Sequence, residues 1–299
     1  IYEVHFAFTS AFDPGFQEAV RAVDTVFLVG VTDPNEREAI FVQCMEHDCQ
    51  LVVVPDVIDI VLHGAELARL GDVPFFYVRP LGLALEERLI KRALDVTVAA
   101  LLLVVTLPII LCAALAVKLT SPGPAFFKQV RVGRHGRPFT IIKLRTMIDN
   151  AERDTGPVIA TENDPRITPL GRVLRKFRID ELPQLWNVLR GEMSIVGPRP
   201  ERPRFVEQFN KEIPHYRYRL LVKPGLTGLA QVFGKYETDP EDKLKYDLYY
   251  IRNYSVMLDL QIMLRTVRVM LTPSTAEGVR RTAARARRIV DSPVAPTRE

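Results

Sequence analysis

The sequence predicts an α/β module over residues 1–80 and, beyond it, a mainly α, membrane-associated domain. Three observations predict this. Residues 1–80 alternate short β-branched runs with helical stretches, Val96–Val117 carries no charge at all, and the remainder is punctuated by Pro and Gly and rich in arginine. With 299 residues, 47% hydrophobic and 25% charged, the chain has ample material for a packed core, which excludes a wholly disordered protein. The formal charge of +4 does not by itself call for nucleic acid. Three cysteines, Cys44, Cys49 and Cys112, cannot make a disulfide scaffold, and Cys44 and Cys49 lack the spacing of a structural zinc site. A reducing, cytosolic setting is expected for most of the chain. Because it opens on Ile1, the chain is expected to begin inside a longer product; no basic segment precedes an apolar run, so no signal peptide is expected.

In chain order, Val26–Gly30 reads as a buried strand, Asp33 to Asp48 as a polar helix, and Leu51–Pro55 as a second strand. A helix to about Leu70 and a third strand at Pro74–Val78 complete the βαβ pattern of a small parallel sheet. No GxGxxG follows the first clear strand, so the module reads as regulatory or structural rather than dinucleotide-binding. Residues 81–90 are expected to be a linker to a domain over 91–271.

As a helix, Val96–Val117 would be about 33 Å long, enough to cross a bilayer core. Both flanks are basic, however: Arg88, Lys91 and Arg92 precede it, and Lys118, Lys128, Arg131, Arg134 and Arg137 follow. Positive residues mark the cytoplasmic side, and here they mark both ends. Pro108 removes a helix hydrogen bond near the middle, and Thr106 is placed to help satisfy the freed backbone. Two readings stay open on the residues alone. One is a plain span with a tolerated proline; the other is a helix over 94–119 that breaks near Thr106–Pro108 and returns to the same face.

Residues 239–271 read as two helices, the first bearing Tyr246, Tyr249, Tyr250 and Tyr254, either as core or as an interfacial belt. The basic tail over 272–299 clusters Arg280, Arg281, Arg285, Arg287 and Arg288. With no aromatic residue interleaved, nucleic acid is not expected as a partner.

The densest chemistry lies at Phe177–Gly191. Leu182, Leu185, Trp186 and Leu189 recur at i, i+3, i+4, i+7, predicting an amphipathic helix. Pro183 is tolerable only in a first turn, which places the helix start near Asp180, and Gly191 closes it. Asp180 and Glu181 would then stand at the positive end of the helix dipole. An isolated Asp-Glu pair there is ordinary helix punctuation. Its company points further: Arg175 lies one turn before, Lys143 and Arg145 sit at a strand end, and Arg199 stands in a Gly-Pro loop after Met193. An acidic dyad among fixed cations suits phosphoryl transfer with a divalent ion on an anionic substrate.

These motifs occur in a recognisable order: Lys91-Arg92-Ala93-Leu94-Asp95, the proline-broken apolar run, Ser121-Pro122-Gly123-Pro124, Lys143–Met147, Asp180–Val188, Ser194–Pro200 and Lys223–Gly228. Over roughly Arg88 to Leu271 the chain resembles the bacterial sugar transferases, the monotopic phosphoglycosyl transferases. The upstream module resembles the Rossmann-like domain of their long members, whose preceding transmembrane helices this sequence does not contain. The resemblance implies transfer of sugar-1-phosphate from a UDP-sugar to polyprenyl phosphate, usually undecaprenyl phosphate, releasing UMP. It implies magnesium, a re-entrant helix broken at Pro108, residence at the bacterial inner membrane with the catalytic domain on the cytoplasmic face, and a possible homodimer. By position, Asp180 would be the nucleophile, Glu181 its partner, either one a magnesium ligand, and Lys143, Arg145, Arg175 and Arg199 phosphate contacts. Two rivals are kept: a nucleotide-sugar hydrolase in which water resolves the Asp180 adduct, and a non-catalytic membrane scaffold.

Overall fold

Strand β1 (Thr25–Leu28) pairs in parallel with β2 (Gln50–Val53), and the helix between them, α2 (Pro34–Glu46), completes one βαβ unit; α1 (Phe16–Arg21) precedes it. The computed structural model describes residues 4–149, 151, 164–234 and 238–271, so the basic tail lies outside the described residues. One compact unit runs up to Asp56 and a second begins at Val57. In the first, Asp33 caps α2 by accepting the Asn35 N–H, with Pro34 in the first turn. The helix ends on Asp48 in the left-handed region (φ 54°), and the Cys49 N–H closes back on the Cys44 carbonyl at 2.8 Å. Cys44 and Cys49 supply the apolar contact across that turn, packed with Phe16, Val20, Leu28 and Ile40.

The expected third parallel strand is not in this sheet. Helix α3 (Val57–Leu62) stops before Gly64, and β3 (Glu66–Leu70) pairs antiparallel with β4 (Val73–Tyr77). Glu66–Leu70 has a helical composition, but Gly71 at φ 63° followed by Asp72 forms the two-residue turn that selects a hairpin. Among the described residues the parallel sheet therefore has two strands.

The second unit opens, after α3 and the hairpin, with α4 (Leu85–Thr120), a 36-residue helix that starts earlier than expected and is continuous through Pro108. Its most apolar 18-residue window has a mean hydropathy of 2.9 and is only 17% buried, so it is long and apolar enough to cross a membrane. Thr106 Oγ1 donates to the Leu102 carbonyl at 2.7 Å, one turn back. It does not take over the role of the missing Pro108 donor, but this back-bonding itself favours bending.

Next come the hairpin β5 (Phe126–Val132) and β6 (Pro138–Leu144), helix α5 (Pro169–Lys176), a 3₁₀ turn over Ile179–Gln184 and α6 (Leu185–Leu189). Strand β7 (Ser194–Val196), helix α7 (Pro203–Glu212) and a 3₁₀ turn at Tyr216–Leu221 lead to β8 (Gly225–Thr227), parallel to β7. Helices α8 (Leu229–Phe233), α9 (Pro240–Arg252) and α10 (Val256–Leu271) complete the unit. Leu185, Val188, Met193, Ile195, Val196, Leu244, Leu248, Tyr250, Ile251 and Ile262 form its core. The tyrosines divide: Tyr250 is core and Tyr249 is exposed.

The β7–β8 pair is unusually close. A Cβ on Gly225 would meet Gly197 N at 2.1 Å and Thr227 O at 2.3 Å, and one on Gly228 would meet Gly197 O at 2.2 Å. The Gly-rich loop therefore serves backbone-to-backbone packing, where the sequence had implied close approach to a ligand. Gly225→Ala is expected to destabilise the chain by about 2–4 kcal/mol, because only backbone can move to make room. Chemical unfolding in detergent measures this, and an unchanged midpoint would show that the two strands separate freely.

Candidate active site

Four elements bring the charged residues together. Lys143 is the penultimate residue of β6, and Arg175 lies in the last turn of α5. That helix is capped by Thr168, whose Oγ1 accepts the Gly171 N–H at 3.0 Å. Arg178 then takes a left-handed conformation (φ 54°), turning the chain into the 3₁₀ segment that carries Asp180 and Glu181. Arg199 follows β7. The expected single helix from Asp180 is thus a 3₁₀ turn followed by a five-residue α-helix. The change from 3.0 to 3.6 residues per turn rotates the predicted stripe, leaving Trp186 half exposed while Asn187 and Val188 are buried.

Both carboxylates are buried, each 8% exposed, but their surroundings differ. Glu181 Oε1 accepts from Lys143 Nζ at 2.8 Å and from Arg199 Nη2 at 2.9 Å, and Arg178 Nη1 lies 3.7 Å from Oε2. Among the described residues the Asp180 carboxylate has no hydrogen bond or ion pair. Burial, together with the Glu181 charge, raises Asp180 to about 6. Burial also opposes ionisation of Glu181, but Arg199, Lys143 and Arg178 outweigh it and hold that carboxyl well below the usual range. Near neutral pH one carboxylate is thus clamped by cations and its neighbour is ionised and uncommitted.

Arg175 donates through Nε to Thr146 Oγ1 at 2.8 Å, and its charge acts on Asp180. Arg145 is placed differently. It is buried and bonds the Ser121 carbonyl at 2.9 Å, Ser121 Oγ at 2.8 Å and the Pro122 carbonyl, holding the loop that leaves α4. Among the described residues no three His, Cys, Asp or Glu side chains cluster as a metal site. Magnesium needs only one or two carboxylates beside substrate phosphates. The Asp180 carboxylate and Glu181 Oε2 fit that requirement, since Glu181 Oε1 already accepts two cationic donors.

A supporting layer lies behind the dyad, built from residues that the sequence did not place in the site. At the foot of α4, Lys91 Nζ bonds Asp259 Oδ2 at 2.7 Å, and Tyr250 donates to Asp259 Oδ1 at 2.7 Å. Asp95 Oδ1 accepts from Ser194 Oγ and the Ile195 N–H, while Arg92 caps the Val188 and Leu189 carbonyls of α6. Farther along, Arg219 pairs with Asp247 at 2.8 Å and donates to the Arg199 carbonyl at 3.0 Å, fixing the backbone whose side chain holds Glu181. The available signal was three polar residues at i, i+1 and i+4 on the end of an apolar helix.

Residues 86–273 match the bacterial sugar transferase family. The chain belongs to that family. Among its relatives, a UDP-glucose:undecaprenyl-phosphate glucose-1-phosphate transferase of Escherichia coli K12 is 42% identical over 230 residues, covering 75% of this chain and 49% of the relative. A UDP-N-acetylgalactosamine-undecaprenyl-phosphate N-acetylgalactosaminephosphotransferase of Aeromonas hydrophila is 47% identical over 186 residues, covering 61% and 44%. A UDP-glucose:undecaprenyl-phosphate glucose-1-phosphate transferase of Caulobacter vibrioides is 49% identical over 193 residues, covering 62% and 71%. This sugar transferase chain thus spans about half the length of the first two.

Proposed function

We propose that this chain transfers sugar-1-phosphate from a UDP-sugar to undecaprenyl phosphate, the step that starts exopolysaccharide, O-antigen or capsule assembly. The observation that carries the reading is the asymmetry of the dyad: Glu181 is held by Lys143 and Arg199, while the Asp180 carboxylate has no partner among the described residues. An Asp180 oxygen bonds the sugar-linked phosphorus as the bond from that phosphorus to UMP breaks, and UMP leaves with the electron pair. A phosphate oxygen of the lipid then attacks the same phosphorus, and the bond to Asp180 breaks to restore the carboxylate. Arg175 and the guanidinium of Arg199 stabilise charge on the phosphoryl oxygens, and burial excludes competing water. Asp180 and Glu181 would hold magnesium together with the donor phosphates, where it supplies neutralisation of phosphate charge.

The same reading places α4 as a re-entrant helix at the inner membrane, with the site on the cytoplasmic face. A straight helix from Arg92 to Val117 would be about 38 Å long. Yet Arg92 bonds the end of α6, and Val117 packs with Leu144, Leu174 and Ile179 of the same unit. Cations flank both ends, and Pro108 with the Thr106 back-bond would favour a bend near the middle. Cysteines at exposed Leu89 and Leu119, in a chain otherwise free of cysteine, are expected to react equally with an impermeant maleimide from the cytoplasmic side; one-sided labelling would mean a full span. A homodimer belongs to the reading too, supported by the β3–β4 hairpin, where Leu67, Leu70, Val73 and Phe76 are all exposed.

Relatives named for glucose and for N-acetylgalactosamine match to similar extents, so the assay uses a panel of UDP-sugars. Repeated turnover, read as UMP release in detergent with magnesium, is expected to require one sugar, undecaprenyl phosphate and an intact Asp180, while without lipid release stops after a single equivalent per chain. Multiple turnovers without lipid would make the chain a hydrolase, and no release from any donor would overturn the reading.

A further inference from the structure

The 3₁₀ turn that carries the dyad ends on Gln184, which is 3% exposed and whose Nε2 has no hydrogen-bond partner among the described residues. Residues three apart eclipse in such a turn, so Gln184 stands on the same edge as Glu181 and four residues beyond Asp180. A buried, unpaired amide is destabilising, and a methionine of similar size would fill the position without that penalty. The described residues supply no acceptor for this amide, and a bound group would.

The charges around the turn narrow what that acceptor is. Lys143, Arg199 and Arg178 are drawn to Glu181, leaving Asp180 uncommitted. Another cation at position 184 would compete for the carboxylates of the dyad. A neutral amide donates to an anionic oxygen without competing for the carboxylate, which it does not attract as an ion.

We propose that the Gln184 amide donates a hydrogen bond to a phosphoryl oxygen held at Asp180, whether of the nucleotide-sugar donor or of the phosphosugar joined to Asp180. This rests on the transferase reading above and adds a substrate-binding residue to it.

The test uses the full chain in detergent, comparing wild type, Gln184→Met, Gln184→Glu and Asp180→Ala by UMP-release kinetics and thermal unfolding, with and without UDP. Wild-type turnover that depends on lipid and is lost in Asp180→Ala establishes the reading independently of Gln184. Gln184→Met is then expected to lower kcat/KM by about tenfold to a hundredfold while melting at the same or a higher temperature. Gln184→Glu, an acceptor only when ionised, is expected to lose more. Unchanged kinetics in Gln184→Met would mean that the amide meets only water and would overturn the proposal. Loss of activity with a lowered melting temperature would show a structural role and also overturn it. Should wild type release nothing, the transferase reading falls, and the rise in melting temperature given by UDP decides the proposal. Its loss in Gln184→Met supports the hydrogen bond, and its retention overturns it.

Discussion

Asp180→Asn is expected to abolish UMP release, by about a thousandfold or more, and to leave the chain as stable as wild type or more so at pH 8. The first part follows from removing the attacking oxygen, since an amide has no charge with which to displace UMP. The second follows from burial. Asp180 titrates at about 6, above the usual carboxylate value, so its charged form is disfavoured in the fold. The native state therefore binds this proton more tightly than the unfolded chain. Its contribution to stability is largest at low pH and is lost as pH rises from near 4 through about 6. Asparagine removes the charge and with it that penalty. The rate runs the opposite way: the ionised form fills over the same window, so wild-type kcat/KM is expected to climb with pH up to a plateau above about 7. Thermal melts and pH–rate profiles of the two proteins check this together. An asparagine variant that retains release, or a wild-type rate that falls across pH 5–7, would remove Asp180 from the role of nucleophile.

The parts of the site that lie within one local segment were legible in the sequence; those that depend on distant partners were not. Asp180 and Glu181 could be placed at a helix start, and Lys143, Arg175 and Arg199 around them, because charge density and Pro/Gly punctuation are local signals. The phase of the helix was misread because Pro183 sits inside a 3₁₀ turn, and Trp186 faces out as a result. Arg145 is a cation like its neighbours in sequence, but a strand end sends it to the Ser121–Pro122 carbonyls. Lys91 and Asp259 are 168 positions apart, and no periodicity joins them. The β3–β4 hairpin shows the same limit at the level of fold: Glu66–Leu70 prefers a helix by composition, and the Gly71–Asp72 turn overrides it.

Glu181→Gln is expected to cost more than the loss of one contact, because the Glu181 charge organises three cations. Lys143 is 17% exposed and Glu181 10%, so this pair is largely desolvated, and Arg199, with its side chain 40% exposed, adds its charge from the rim. Removing the negative partner breaks this largely buried pair, at a cost of about 3 kcal/mol less what Asp180 returns as a replacement. The nearest remaining carboxylate is Asp180, and the freed cations turn toward it. With the Glu181 charge gone and cations closer, the Asp180 carboxyl moves below its present value of about 6. A more acidic carboxylate, paired to Lys143, is a weaker nucleophile, so kcat/KM at pH 8 is expected to fall by about a hundredfold. The rising limb of the pH–rate profile shifts to lower pH at the same time. That shift distinguishes electrostatic control from general loosening, which would lower the rate without moving the limb. A variant that melts as wild type and keeps its limb near pH 6 would show that Lys143 and Arg199 are positioned without Glu181, and that the asymmetry of the dyad has another origin.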